Sequence, residues 1–218
     1  MNRSGCLLIV EDQPYVRETL ALVCRTIFKF RDIVAVATAA EATEWMFSKA
    51  AELMIVDIYL PDGDGITLSN AATLKPSAPA ILVISGQLDE VTVFRIMKSK
   101  IRGLIEKSDL SMATLQMGID ESLAGHRYFS ATAKEMESVL LHDPLAFPKI
   151  LTPRECRILA GIARGAEADD LSRALGVSTD TVRWHFKQIM GKLGIHNAVG
   201  LAAYALKKGF VHWEFPEA

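Results

Sequence analysis

Five residues of chemical use stand at the ends of apolar runs. Glu11 and Asp12 follow the run at 6–10, Asp57 follows 53–56, Ser85 follows 80–84, and Lys107 comes soon after 103–105. Together they are three carboxylates, a hydroxyl and an ammonium. Crowded carboxylates repel one another unless a cation neutralises them, and hard oxygen donors of this kind suit Mg2+. A carboxylate beside a bound cation and a lysine can attack a phosphoryl group and become an acyl phosphate. The metal and the ammonium then neutralise the incoming oxygens.

This chemistry needs the runs to end on one edge. CLLIV, LMIV and AILVI are short and continuously apolar, as are the weaker runs at 33–37 and 103–105. Runs without polar alternation suit strands covered on both faces. Helix-like stretches lie between and after them, at 14–28, 40–50, 65–74, 88–99 and 110–124. In the first, Val16, Leu20, Val23 and Ile27 recur at helical spacing. A strand–helix unit repeated five times implies a parallel sheet with helices on both faces. Polar chemistry in such sheets collects beyond the C-terminal strand ends, at the switch point of strand order.

Composition narrows the classes. Of 218 residues, 50% are hydrophobic and 23% charged, which suits a packed globular protein and argues against a disordered chain. No apolar window is long enough for a membrane span, and the five-residue run near the start is too short for a signal peptide, so a cytoplasmic protein without membrane contact is expected. Cys6, Cys24 and Cys156 are odd in number and far apart, which fits reduced thiols. The net charge of −2 is uneven. Residues 1–130 carry 13 basic and 16 acidic side chains, and residues 151–218 carry 9 and 7. An acidic front and a locally basic back suggest two domains with different partners. No nucleophile–base pair or nucleotide-binding Gly-rich loop appears, so an enzyme acting on an external substrate is not expected.

The stretches LLIVEDQPYVRETL, LMIVDIYLPDGDGI, ILVISG and GLIEK resemble the receiver domain of two-component response regulators. The resemblance spans residues 6–125. It implies a flavodoxin-like, five-stranded parallel sheet of order 2-1-3-4-5. It implies Asp57 as phosphoacceptor, Asp12 as a Mg2+ ligand supported by Glu11, and the Tyr59 backbone carbonyl as a further ligand. Ser85 and Lys107 would hold the phosphoryl group. Two positions depart from the family. Leu104 stands where receivers usually carry an aromatic residue, three before the lysine, and Ser108 replaces the frequent proline.

Residues 126–150 read as an interdomain tether, with a possible short helix at 130–141 and irregular chain around Pro144 and Pro148. Beyond it, Thr152-Pro153-Arg154-Glu155 is a helix start with a capping box. Gly165 ends that helix. A second helix follows and closes at Gly176, and Ser178 caps a third. Two short helices joined by a Gly-containing turn form a helix-turn-helix pattern. On the third helix Val182, Phe186, Ile189 and Leu193 make the buried stripe. Arg183, Trp184 and Lys187 then point outward. Arg183 can donate two hydrogen bonds to guanine, Lys187 can contact a base or phosphate, and Trp184 can meet thymine methyls. Thr181 and His185 flank that face, and Lys192 lies two turns on, where phosphate contact is expected.

The text LTPRECRILAGIARG and LGVSTDTVRWHFKQIMGKLGIHNAVGLAAYAL resembles the LuxR-type helix-turn-helix of NarL/FixJ regulators. The resemblance implies a four-helix domain with the same groove-facing residues and a dimer contact on the fourth helix. Ala168-Asp169-Asp170 departs from the usual Asn-Lys before Glu, and His196 and Ala198 depart from the usual arginines. The expected organisation is a receiver at 4–125, a linker at 126–150 and a DNA-binding domain at 151–216. The expected function is a transcription regulator phosphorylated on Asp57 by a sensor histidine kinase, binding DNA as a homodimer with half-sites about one helical turn apart. The rival readings are a phosphorylation-independent DNA-binding regulator with a scaffold receiver, and a signalling module acting by protein–protein binding.

Overall fold

The computed structural model describes residues 3–212 of the chain. Residues 213–216, the end of the expected DNA-binding domain, lie outside the described residues. Two compact units are present: residues up to 88 with 95–135, and residues 89–94 with those from 136 onward.

The first unit alternates strand and helix. Its strands are β1 (Arg3–Val10), β2 (Phe30–Val36), β3 (Leu53–Asp57), β4 (Ala80–Ser85), β5 (Gly103–Glu106) and β6 (Tyr128–Phe129). Its helices are α1 (Pro14–Thr26), α2 (Ala39–Ser48), α3 (Gly65–Ala72), α4 (Glu90–Met97, which runs across the boundary between the units) and α5 (Met112–Leu123). The sheet is parallel throughout, in the order β2-β1-β3-β4-β5-β6. Leu7, Ile9, Leu53, Ile55, Leu82, Ile84 and Ile105 share one core with Leu20 and Cys24 of α1 and Leu115 and Ile119 of α5. The alternate residues Leu8, Val10, Met54, Val56, Val83 and Leu104 are equally buried. Both faces of the sheet are therefore covered, as the unbroken apolar runs require.

Parallel pairing brings the strand ends together. Asp57 stands beside Ile84, and Ser85 beside Glu106, so Asp57, Ser85 and Lys107 end adjacent strands on one edge. The chain after Asp57 is fixed locally. Tyr59–Leu60 and Gly63–Asp64 form a two-stranded hairpin. Asp62 accepts the N–H groups of Ala39 and Ala40 at 2.8 Å each, which holds its carboxyl below the ordinary range. Asp64 caps α3 through the Ile66 N–H at 2.8 Å. A Cβ at Gly65 would collide with the Asp57 carbonyl, so only glycine fits where α3 starts against β3.

The strand count corrects the expectation of five. The sixth strand lies inside the segment read as a tether, and it is two residues long. Periodicity needs a longer stretch to register, whereas pairing at a sheet edge needs only backbone groups in reach. The short helix read at 130–141 is α6 (Ala131–His142), whereas the one-turn α7 (Phe147–Ile150) stands where irregular chain was expected around Pro148.

The second unit carries α8 (Pro153–Ala163), α9 (Ala168–Leu175), α10 (Thr179–Leu193) and α11 (Ala198–Lys207). Thr152 and Glu155 form the expected capping box, Glu155 accepting the Thr152 N–H at 2.7 Å and Thr152 Oγ1 the Glu155 N–H at 3.2 Å. Gly176 closes α9 in the left-handed region at φ 63°. Ser178 Oγ accepts the Thr181 N–H at 3.2 Å. Val182 and Ile189 are fully buried, while Phe186 and Leu193 are half-buried.

Candidate functional site

At the sheet edge Lys107 Nζ lies 2.7 Å from Asp57 Oδ2 and 3.0 Å from Glu11 Oε2. Asp57 and Glu11 are almost fully buried, and one ligand atom from each of Glu11, Asp12 and Asp57 falls within 4.8 Å of the others. Burial pushes the Glu11 carboxyl above its ordinary value, and the repulsion of Asp57 adds to this, against the pull of Lys107. Burial also works against the Lys107 ammonium, but its hydrogen bonds to Asp57 and Glu11 outweigh that cost and hold it above its ordinary value. The buried Ser85 Oγ donates to the Gln87 carbonyl at 2.7 Å. Tyr59 donates its N–H to Asp57 Oδ1 at 3.3 Å. Glu11, Asp12, Asp57 and Lys107 thus meet at one end of the sheet, and Ser85 ends the strand next to that of Asp57.

On the second unit, Arg183, Trp184 and Lys187 are exposed on one face of α10, and Trp184 has 55% of its surface free. Among the described residues Arg183 pairs weakly with Asp180, one turn back at 3.5 Å. Thr181 and His185 flank the face, half-buried, and burial lowers the His185 pKa, with Arg154 adding to it. Lys192 is placed differently from its expected role. Its ammonium lies 2.7 Å from Oε2 of the buried Glu155, tying α10 to the start of α8.

Residues 7–117 match the model for the response regulator receiver domain, and residues 149–205 match the bacterial regulatory proteins of the luxR family. The chain belongs to the response regulators. It is a DNA-binding transcription regulator of the NarL/FixJ type and not an enzyme. The oxygen regulatory protein NreC of Staphylococcus haemolyticus is 28% identical to this regulator over 216 residues, covering 93% of this chain and 97% of NreC. NreC of Staphylococcus epidermidis is 29% identical over 219 residues with the same coverage. In fold, the regulator is similar to RcsB in its DNA complex, with TM-score 0.65, 20% identity and coverage of 94% and 99%. RcsB of Salmonella enterica serovar Typhimurium, bound to promoter rprA with the phosphomimetic BeF3-, is similar at TM-score 0.63 and 20% identity, with coverage of 93% and 98%.

Sequence reading missed what four side chains do in the regulator. Arg17 Nη1 donates to the carbonyls of Glu11 at 2.7 Å and Asp12 at 3.0 Å, clamping the loop that presents both acids. Its place one turn into α1 was the available signal. Asp169 accepts the Thr179 hydroxyl at 2.8 Å, and Asp170 accepts the Glu167 N–H at 3.2 Å and pairs with Arg173 at 2.6 Å. Of the two acids that depart from the family pattern, Asp169 therefore joins α9 to the start of α10 and Asp170 caps α9. Glu155 is the fourth. Its capping role was legible, but its pairing with Lys192 spans 37 residues and was not.

Proposed function

We propose that this regulator is switched by phosphoryl transfer to Asp57 from a sensor histidine kinase in the cytoplasm and that the switched form binds DNA as a homodimer. One observation carries the reading: the Lys107 ammonium bridges Asp57 and Glu11 in a buried pocket that Asp12 completes. The all-oxygen donor set suits Mg2+, which Glu11, Asp12, Asp57 and the Tyr59 carbonyl would hold. When bound, the ion supplies neutralising charge for the phosphoryl oxygens.

An Asp57 carboxylate oxygen attacks phosphorus, the bond to the donor imidazole nitrogen breaks, and the imidazole keeps the electron pair and takes a proton. Lys107 then exchanges a carboxylate partner for a phosphoryl oxygen. Ser85 Oγ turns from the Gln87 carbonyl to donate to the same group. On DNA, Arg183 reads guanine, Trp184 and Lys187 meet neighbouring base edges or phosphates, and Thr181 and His185 lie against the backbone. Lys192 contributes less, because Glu155 already neutralises it. Incubation with a small acyl phosphate and Mg2+ should add one phosphoryl mass, labile to hydroxylamine and mapping to the peptide containing Asp57. A stable adduct, or one mapping elsewhere, would overturn the reading.

A further inference from the structure

The position three before Lys107, where receivers usually place a movable aromatic ring, holds Leu104, and Leu104 cannot serve as that ring. It has no exposed surface and is paired in register with Val83 on one side and Phe129 on the other. Phe129 is itself buried, and Arg127 stacks over its ring at 4.3 Å. A side chain walled in on both flanks of a sheet has no free rotamer to swing into.

The main chain around Lys107 offers another route. Directly before the lysine, the Glu106 N–H donates to Ser130 Oγ at 3.2 Å. Directly after it, in the single 3-10 turn Lys107–Asp109, the Asp109 carboxylate accepts the Thr132 N–H at 2.9 Å and the Thr132 hydroxyl at 3.2 Å. Between these ties, the Ser130 N–H donates to the Leu104 carbonyl at 2.9 Å, and the Ser130 carbonyl accepts the Lys134 N–H at 2.9 Å as α6 begins. Lys107 is thus fastened, on both chain sides, to the first turn of α6. Ser130 is 1% exposed, so water does not compete for these bonds.

We propose that β6 and the Ser130–Thr132 entry to α6 are the output coupling of the first unit, relaying the position of Lys107 through the backbone to α6. The proposal rests on phosphorylation of Asp57, which gives Lys107 a new partner. As Lys107 shifts toward the phosphoryl group, the Glu106 amide and Asp109 move with it. The ties to Ser130 and Thr132 must then adjust, and α6 leads along the chain to the DNA-reading half.

Hydrogen exchange of the full-length chain tests this, with beryllofluoride and Mg2+ as the acyl-phosphate mimic. Exchange at the Ser130 and Thr132 amides, and across 134–142, should change at least fivefold on adding the mimic, while the Leu8 and Ile9 amides of β1 stay constant. Ser130→Ala and Asp109→Ala should each take up phosphoryl from an acyl phosphate within about twofold of the wild-type rate, yet lose the exchange response across 134–142. Wild-type protein that takes up phosphoryl with unchanged exchange at 130–142 would overturn the coupling. So would a full response in both variants. Absent phosphoryl uptake in the wild type would instead overturn the phosphorylation reading, and the coupling with it.

Discussion

Lys107 stands 50 residues from Asp57 and 96 from Glu11, yet a single ammonium touches both. Arg183, Trp184 and Lys187 come from little more than one turn of α10. The first constellation exists only because parallel strands end together, and its charges are paired with one another inside the protein. The second is carried by one capped helix, on a face open to solvent. The contrast assigns different duties to charge. In the pocket, charges are buried and coupled, so adding a phosphoryl group must rearrange all of them. On the helix they act nearly singly, so each can be lost without disturbing the rest.

The largest expected effect follows from that coupling. Asp57→Asn should abolish acid-labile phosphoryl uptake while leaving α10 folded, since its caps and its buried residues Val182 and Ile189 belong to the second unit. Uptake at the wild-type level in this variant would remove the pocket from the comparison. Next in size is Arg183→Ala. A bidentate contact to guanine discriminates by roughly 1–3 kcal/mol, so binding-site selection should show relaxed preference at one base position in each half-site. A site logo that stays the same while overall affinity drops would make Arg183 a phosphate contact, rotating the reading face by about one residue.

Arg17→Ala sharpens the contrast from the pocket side. Groups that orient metal ligands are worth roughly 10–100-fold in affinity. Because Arg17 holds carbonyls rather than the carboxylates themselves, a loss of about tenfold in Mg2+ affinity is expected by titration calorimetry, partly restored in Arg17→Lys. An unchanged Mg2+ isotherm would show that the loop holds its shape without the clamp.

The smallest effect concerns Lys192, whose placement blurs the line between the regions by making one cation of α10 structural. Breaking a buried pair costs up to about 3–5 kcal/mol, but Lys192 is over a third exposed, so solvent screening reduces the expected loss for Lys192→Ala to about 1–2 kcal/mol. Burial alone would raise the Glu155 pKa, yet its bonds from Lys192 and Thr152 hold it below the ordinary 4.5 in the folded chain. The folded state therefore binds fewer protons than the unfolded state in that range. The pair's stabilisation is complete above about pH 4.5 and is lost as pH falls through the lower folded value. The difference in Tm between wild type and Lys192→Ala should narrow accordingly in acid. A difference independent of pH would detach Lys192 from Glu155.

The sequence by itself determined the elements whose cause is local or strongly periodic. The apolar runs located five strands within a few residues, because strands buried on both faces leave no polar alternation. Thr152, Gly176 and Ser178 marked helix ends correctly, because caps act across three residues. That Glu11, Asp12, Asp57 and Lys107 come together was legible because each follows an apolar run, and a parallel sheet makes such ends neighbours. The tertiary structure alone decided what depends on partners far along the chain. Nothing around Tyr128–Phe129 marks a strand until β5 offers its open edge, and the ties from Glu106 and Asp109 to the start of α6 span about 23 residues. Lys192 looked like any exposed cation until folding set a buried carboxylate beside it. Asp169 looked like a misplaced acid until the Thr179 hydroxyl at the start of α10 met its carboxylate. Local free energy is written in neighbouring residues, whereas the partner that satisfies a backbone edge or a buried charge is chosen by the fold.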